Sequence, residues 1–206
     1  MAIKSDREYR VVQLPEMQFR AVPQEDEEKR YVVEGYATTY DDPYVLYSYD
    51  GVDYKETISR DALAGADMSD VIFLYNHEGM VFARQSNGTL ELSSDERGLH
   101  VLADLGSTEA SRAMFESINA GLVTQMSWAF TISGDEYDEK THTRTIRSVK
   151  KVYDVSAVSI PANPSTDISA RSYWDGVIEE ERRRERERAE KVERIRNKLN
   201  GGIQNV

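Results

Sequence analysis

The chain has no cysteine among its 206 residues. That excludes disulfides, thiolate metal sites and a cysteine nucleophile. It has only three histidines (His77, His100 and His142) and no His-x-x-x-His pair, so a zinc site is hard to assemble. There is no glycine-rich phosphate cradle, and the acidic run Asp135 to Glu139 lacks the spacing of a calcium loop. No cofactor or metal is therefore expected. No apolar run approaches the length of a membrane span, and the N-terminus lacks the apolar core of a secretory signal. The expectation is a cytosolic chain with no membrane partner. A net charge of −11 argues against non-specific binding of DNA or RNA, so no nucleic-acid partner is expected either.

What is present fits one globular domain with appendages: 39% of the residues are apolar, enough for a core. Residues 1–15 show little periodicity and are expected to be flexible. Met17, Phe19 and Ala21 alternate with polar neighbours, which predicts a strand, and a second runs from Tyr31 to Tyr40. Asp50-Gly51, flanked by tyrosines and valine, predicts a hairpin, as does Asn87-Gly88. Ser59 is placed to cap a short helix through Gly65. Val71 to Tyr75 reads as a buried strand ending at Asn76-His77. Leu90 and Leu92, then Leu99, Val101, Ala103 and Leu105, alternate on either side of a turn at Ser93 to Gly98. Ser107 or Thr108 opens a helix whose apolar positions Ala110, Met114 and Ile118 recur at helical spacing, and Gly121 ends it. Two further strands span Val123 to Ser133 and about Thr141 to Ile160, the second broken near Ser148, with the acidic run between them read as a hairpin loop. The fold class is β-rich α+β, with the pattern of a barrel carrying helical insertions rather than repeated βαβ units.

From Tyr173 the composition changes. Glu179 to Asn200 holds nine Lys/Arg against seven Glu, a net of +2, which leaves −13 for the rest of the chain. Opposite charges recur at i to i+4 spacing, and Ile178 to Val192 carries no apolar stripe, which predicts a solvated helix of about 40 Å. The expected organisation is 1–15 as a flexible N-terminus, 16–172 as the main domain and 173–206 as a charged helical tail.

Three residues draw the chemistry. Alternation puts Met126, Trp128, Phe130 and Ile132 on a core-facing side of one strand and Ser127 on the other, among small and polar neighbours. A hydroxyl there is a candidate nucleophile, though an ordinary strand serine would look the same. His77 follows an apolar strand, where it can project into a cleft as a general base; a surface histidine in a turn is the plainer alternative. Asp154 shares a strand face with Val152, Ser156, Val158 and Ile160, and a carboxylate among aliphatic neighbours needs a partner. An imidazole N–H is one such partner; the backbone or Arg144 would serve equally. His100 and His142 read as surface residues, and the twelve tyrosines as packing residues.

Several segments, in order, resemble the prohead (capsid-maturation) proteases of tailed bacteriophages. They are Phe19-Arg20-Ala21, Glu34-Gly35-Tyr36-Ala37, Asn76-His77-Glu78 and Asp95-Glu96-Arg97-Gly98-Leu99, followed by Ala120-Gly121-Leu122 leading to Met126-Ser127-Trp128-Ala129-Phe130. Asp154-Val155-Ser156, Val158-Ser159 and Pro161-Ala162-Asn163-Pro164 close the series. The resemblance spans roughly residues 17–170 and implies a β-barrel like that of the herpesvirus assembly protease, with serine peptidase chemistry. It implies Ser127 as nucleophile, His77 as base and Asp154 as third member, in a position where the phage family usually has glutamate. Related herpesvirus enzymes use a second histidine there, which makes His142 the alternative. Ser127-Trp128-Ala129-Phe130 also departs from the usual Ser-Ile-Gly-Phe. Oxyanion donors are not identified by sequence, and backbone N–H groups near Ala162-Asn163 are the candidates.

The resemblance further implies action inside the assembling prohead in the host cytoplasm. The substrates would be scaffold, the major capsid protein's scaffolding segment and the enzyme itself. The herpesvirus relatives need dimerisation, which leaves self-association open, and no interface or oligomeric state is legible in the sequence. Two other functions compete: a non-enzymatic capsid-associated scaffold protein on the same fold, and a small-ester hydrolase.

Overall fold

The computed structural model describes residues 7–11, 20–22, 30–159 and 168–201, with side chains in the last stretch described over 173–196. Strands β1 (Glu8–Val11), β2 (Arg20–Val22), β3 (Val32–Thr39), β4 (Tyr44–Tyr49) and β5 (Val52–Ile58) come first. Then follow β6 (Ile72–Tyr75), β7 (Glu78–Arg84), β8 (Leu90–Ser94), β9 (Gly98–Asp104) and helix α1 (Glu109–Asn119). Two long strands, β10 (Gln125–Asp138) and β11 (Thr143–Val158), precede helix α2 (Ile168–Gly201). No helix among the described residues is long and apolar enough to cross a membrane.

The strands form two sheets. In the larger, β1, β10, β11, β5 and β4 lie in that order, and β6, paired to β7, joins the same edge of β11 further along. The smaller has the order β2-β3-β9-β8. Val33, Leu99 and Val101 from the smaller sheet share one core with Phe73, Trp128, Phe130 and Val155 from the larger, and Met114 and Ile118 of α1 complete it. The architecture is β-rich α+β. The expected closed barrel is not formed: among the described residues the two sheets stay separate, with no ladder joining them.

Why β11 serves two partners is visible in its backbone. Residues 143–146 pair in parallel with β5, and residues 154–157 with β6. The stretch between them is satisfied by Ser59–Asp67, through Ser59 N to Ile146 O at 2.9 Å, Val149 N to Ala62 O at 2.8 Å and Asp67 N to Lys150 O at 2.9 Å. Ser59–Gly65 is accordingly a run of turns with i to i+3 bonds, not the expected helix: the Ala62 carbonyl that a helix would use internally accepts from Val149.

Three more expectations are corrected. Asn87-Gly88 closes a 3-10 turn (Gln85–Asn87) that carries the chain from β7 in one sheet to β8 in the other, so it is not a hairpin. The acidic run is mostly strand, because Asp135 and Glu136 pair with Arg144 at 2.7 Å and Arg147 at 2.9 Å on the facing strand. Residues 8–11, where the sequence shows no periodicity, form β1. By contrast Asp50 and Gly51, with φ of 52° and 79°, make the hairpin turn between β4 and β5, and Thr108 caps α1 through Ser111 N. Met17 and Phe19 lie outside the described residues.

Candidate active site

His77 sits in the two-residue turn between β6 and β7. Asn76 and His77 both have positive φ, 51° and 61°, the pattern of a type I′ hairpin turn. Asn tolerates this region well and His better than most residues, which explains the pair at this position. The turn is tied to the end of β11: Asn76 N donates to Ala157 O at 2.9 Å, and Asn76 Oδ1 accepts from Ser159 N at 3.2 Å.

Ser127 and Asp154 come from the two long strands. In the antiparallel register Ser127 faces Ser156, and Ala129 faces Asp154, so all four side chains share one face. The His77 ring lies over that face. Its Nε2 is 2.6 Å from Ser127 Oγ, and its Nδ1 is 2.6 Å from Asp154 Oδ1. The imidazole is thus the buried carboxylate's partner; Arg144 is engaged elsewhere, with Glu8, Glu56 and Asp135.

Two further residues touch this group, and the sequence did not single them out. Ser156 Oγ lies 2.8 Å from Asp154 Oδ1 and 3.2 Å from His77 Nδ1. Tyr9 of β1 packs edge-on against His77, ring centroids 4.8 Å apart. Strand β1 pairs with β10 over Ser127 to Phe130, and Ser127 has no exposed surface. The signal for Ser156 was its spacing of two from Asp154 on one strand face; for Tyr9 no sequence signal exists, because the contact is made across sheet neighbours.

Beneath β1 is a buried ionic network. Glu56, fully buried, accepts from Arg10 Nε at 2.5 Å, from Arg144 at 3.4 Å and from the Tyr44 hydroxyl at 2.6 Å. Burial alone would raise the Glu56 carboxyl; the charge and hydrogen bonds of Arg10, with Arg144, more than offset it and hold it below its ordinary value. Arg10 thereby fixes the strand that carries Tyr9.

The other histidines are not brought to the site. His142 sits at the far end of the β10–β11 hairpin, some eleven residues along β10 from Ser127, a distance on the order of 30 Å. It contacts the Tyr137 hydroxyl at 3.0 Å and lies 3.4 Å from Glu181 of α2, half-buried rather than facing solvent as expected. His100 lies on the smaller sheet against Tyr36. Asn163 and its loop lie outside the described residues. Among the described residues no group of three or more His, Asp or Glu is arranged to hold a metal ion.

A serine hydroxyl on one imidazole nitrogen and a carboxylate on the other is the constellation with which serine hydrolases perform acyl transfer. The class is therefore serine hydrolase. The chain belongs to the caudovirus prohead serine protease family, which it matches over residues 18–176. It is a serine protease of phage capsid maturation. Comparison with curated proteins and with solved structures gave no match.

Proposed function

We propose that the protein cleaves scaffold, or the scaffolding segment of the major capsid protein, and itself, inside the assembling prohead. Ser127 is the nucleophile, His77 the general base and Asp154 the residue that orients the ring. Ser127 Oγ attacks the peptide carbonyl carbon while His77 Nε2 takes its proton; the tetrahedral intermediate collapses as His77 returns that proton to the leaving amine. Water then hydrolyses the acyl-Ser127 ester by the same proton transfers in reverse order. Asp154 keeps Nδ1 protonated and stabilises the imidazolium.

The observation that carries this is the pair of 2.6 Å contacts from the two His77 nitrogens, one to Ser127 and one to Asp154. Residues 16–172, joined in the larger sheet by β1, make up the protease domain in this proposal. The charged tail, 173–206, guides the enzyme into the scaffold or is removed by self-cleavage.

Co-expression with the cognate capsid and scaffold proteins tests it, with intact masses recorded. Wild type should give shortened chains, and Ser127→Ala should leave every chain at full length. Equal masses in both samples, under conditions where capsids assemble, would leave the scaffold role in place of the enzyme.

A further inference from the structure

Ser156 is fully buried and lies directly opposite Ser127 in the β10–β11 register. Its oxygen is near two groups of the site, 2.8 Å from Asp154 Oδ1 and 3.2 Å from His77 Nδ1. A hydroxyl has one proton to give. Given to His77, it would require an unprotonated Nδ1, which would then set a ring lone pair against the Asp154 carboxylate. Given to Asp154, it makes a charge-assisted bond and leaves the Ser156 lone pairs facing Nδ1. In that arrangement both oxygens near Nδ1 are acceptors, so the ring proton belongs on Nδ1. The Nε2 lone pair then faces Ser127. Ser156 is also on the wrong side of the ring to be the nucleophile itself, since the nitrogen it meets is the one held by Asp154.

We propose that Ser156 is a positioning residue of this protease: its hydroxyl holds the Asp154 carboxylate and, through it, the His77 tautomer that can accept the Ser127 proton. This rests on the assignment of Ser127, His77 and Asp154 as the reacting unit. Ser156 does not touch the scissile bond. A serine that merely satisfied itself within the sheet would leave the imidazole unaffected when removed.

The test uses the full chain with nitrogen-15-labelled histidine, whose three imidazoles give a spectrum simple enough to assign. Above the pH at which the ring loses its charge, wild-type His77 should show a single tautomer protonated at Nδ1. Ser156→Ala should show a mixture of tautomers, and its rate of cleaving co-expressed capsid protein should fall about 10- to 100-fold, the scale of one lost hydrogen bond to a charged group. Ser156→Thr, which keeps the hydroxyl, should restore both. Ser156→Cys, nearly isosteric with a weak donor, should lie between wild type and Ser156→Ala, and it carries the test if the alanine variant does not fold. A His77 spectrum unchanged in the alanine or cysteine variant, with a cleavage rate within about twofold of wild type, overturns the proposal. Asp154→Asn separates the two claims: if it too leaves the His77 tautomer untouched, the assignment of the reacting unit fails as well.

Discussion

Tyr9 lies edge-on against His77, with ring centroids 4.8 Å apart and planes at 74°, from a strand that pairs with the strand of Ser127. The strand precedes the family match, which begins at residue 18. Ser127 has no exposed surface, and Tyr9 packs on the ring that meets its hydroxyl. Tyr9→Ala opens that side of the ring. The rate at which a small serine-directed reagent such as diisopropyl fluorophosphate modifies Ser127, read by intact mass, should rise several-fold in this variant. An unchanged or slower rate would show that Tyr9 is not what covers the site.

Arg10 anchors the same strand. Removing it leaves Glu56 buried without its closest cation, and breaking a buried pair from one side costs about 3–5 kcal/mol. Arg10→Ala should lose stability on that scale in denaturant unfolding. Arg20→Ala, which removes a largely exposed partner of Glu34, should lose less than about 1 kcal/mol.

The same pair sets a pH dependence. Glu56 is held below its ordinary value of 4.5, so its ionised form is favoured in the folded state. The stability this contributes is present in full above that ordinary value and is lost as the pH falls through the lowered folded one. Glu56→Gln should be less stable than wild type near neutrality but should lose less on acidification. Unfolding midpoints from about pH 6 down to about pH 2 check this, and parallel curves for the two proteins would contradict it.

Helix α2 is solvated only in part. Trp174 is fully buried among Tyr54, Tyr137 and Tyr173, and Glu181 accepts from the Tyr54 and Tyr137 hydroxyls. Trp174→Ala should cost about 3–5 kcal/mol and make α2 accessible to limited proteolysis. A chain ending after Arg188 removes only exposed residues from the described part of the helix and should keep the wild-type thermal midpoint.

Where structure followed from local pattern, the sequence was legible. The alternation through Met126 to Phe130 and Leu99 to Leu105, the Asp50-Gly51 turn and the Thr108 cap each need only near neighbours. What was not legible depends on partners far along the chain. Asp135 and Glu136 look like a loop until Arg144 and Arg147 lie beside them. Ser59 to Gly65 looks like a helix until Val149 takes the Ala62 carbonyl. Strand β7 was missed because Glu78, Gly79, Met80 and Val81 are all exposed and carry no alternation. Trp174 gave no apolar stripe with the charged residues after it, so its burial against the tyrosines was hidden. At the site, residue type and place on their strands made His77, Ser127 and Asp154 candidates beside plainer readings, and the family resemblance is what joined them into one proposed unit. Ser156 needed the measured distances, and Tyr9 needed the pairing of β1 with β10.

The central claim is that Ser127, His77 and Asp154 act as one unit. Cleavage of the capsid protein by Ser127→Ala, His77→Ala and Asp154→Asn, singly and in combination, measures this most directly. Residues acting together give losses that do not add, and the aspartate variant alone should lose about 10,000-fold. The account predicts that Ser127→Ala/His77→Ala is no slower than Ser127→Ala alone. Losses that multiply across the three positions, or cleavage by Ser127→Ala at the wild-type rate, would contradict it.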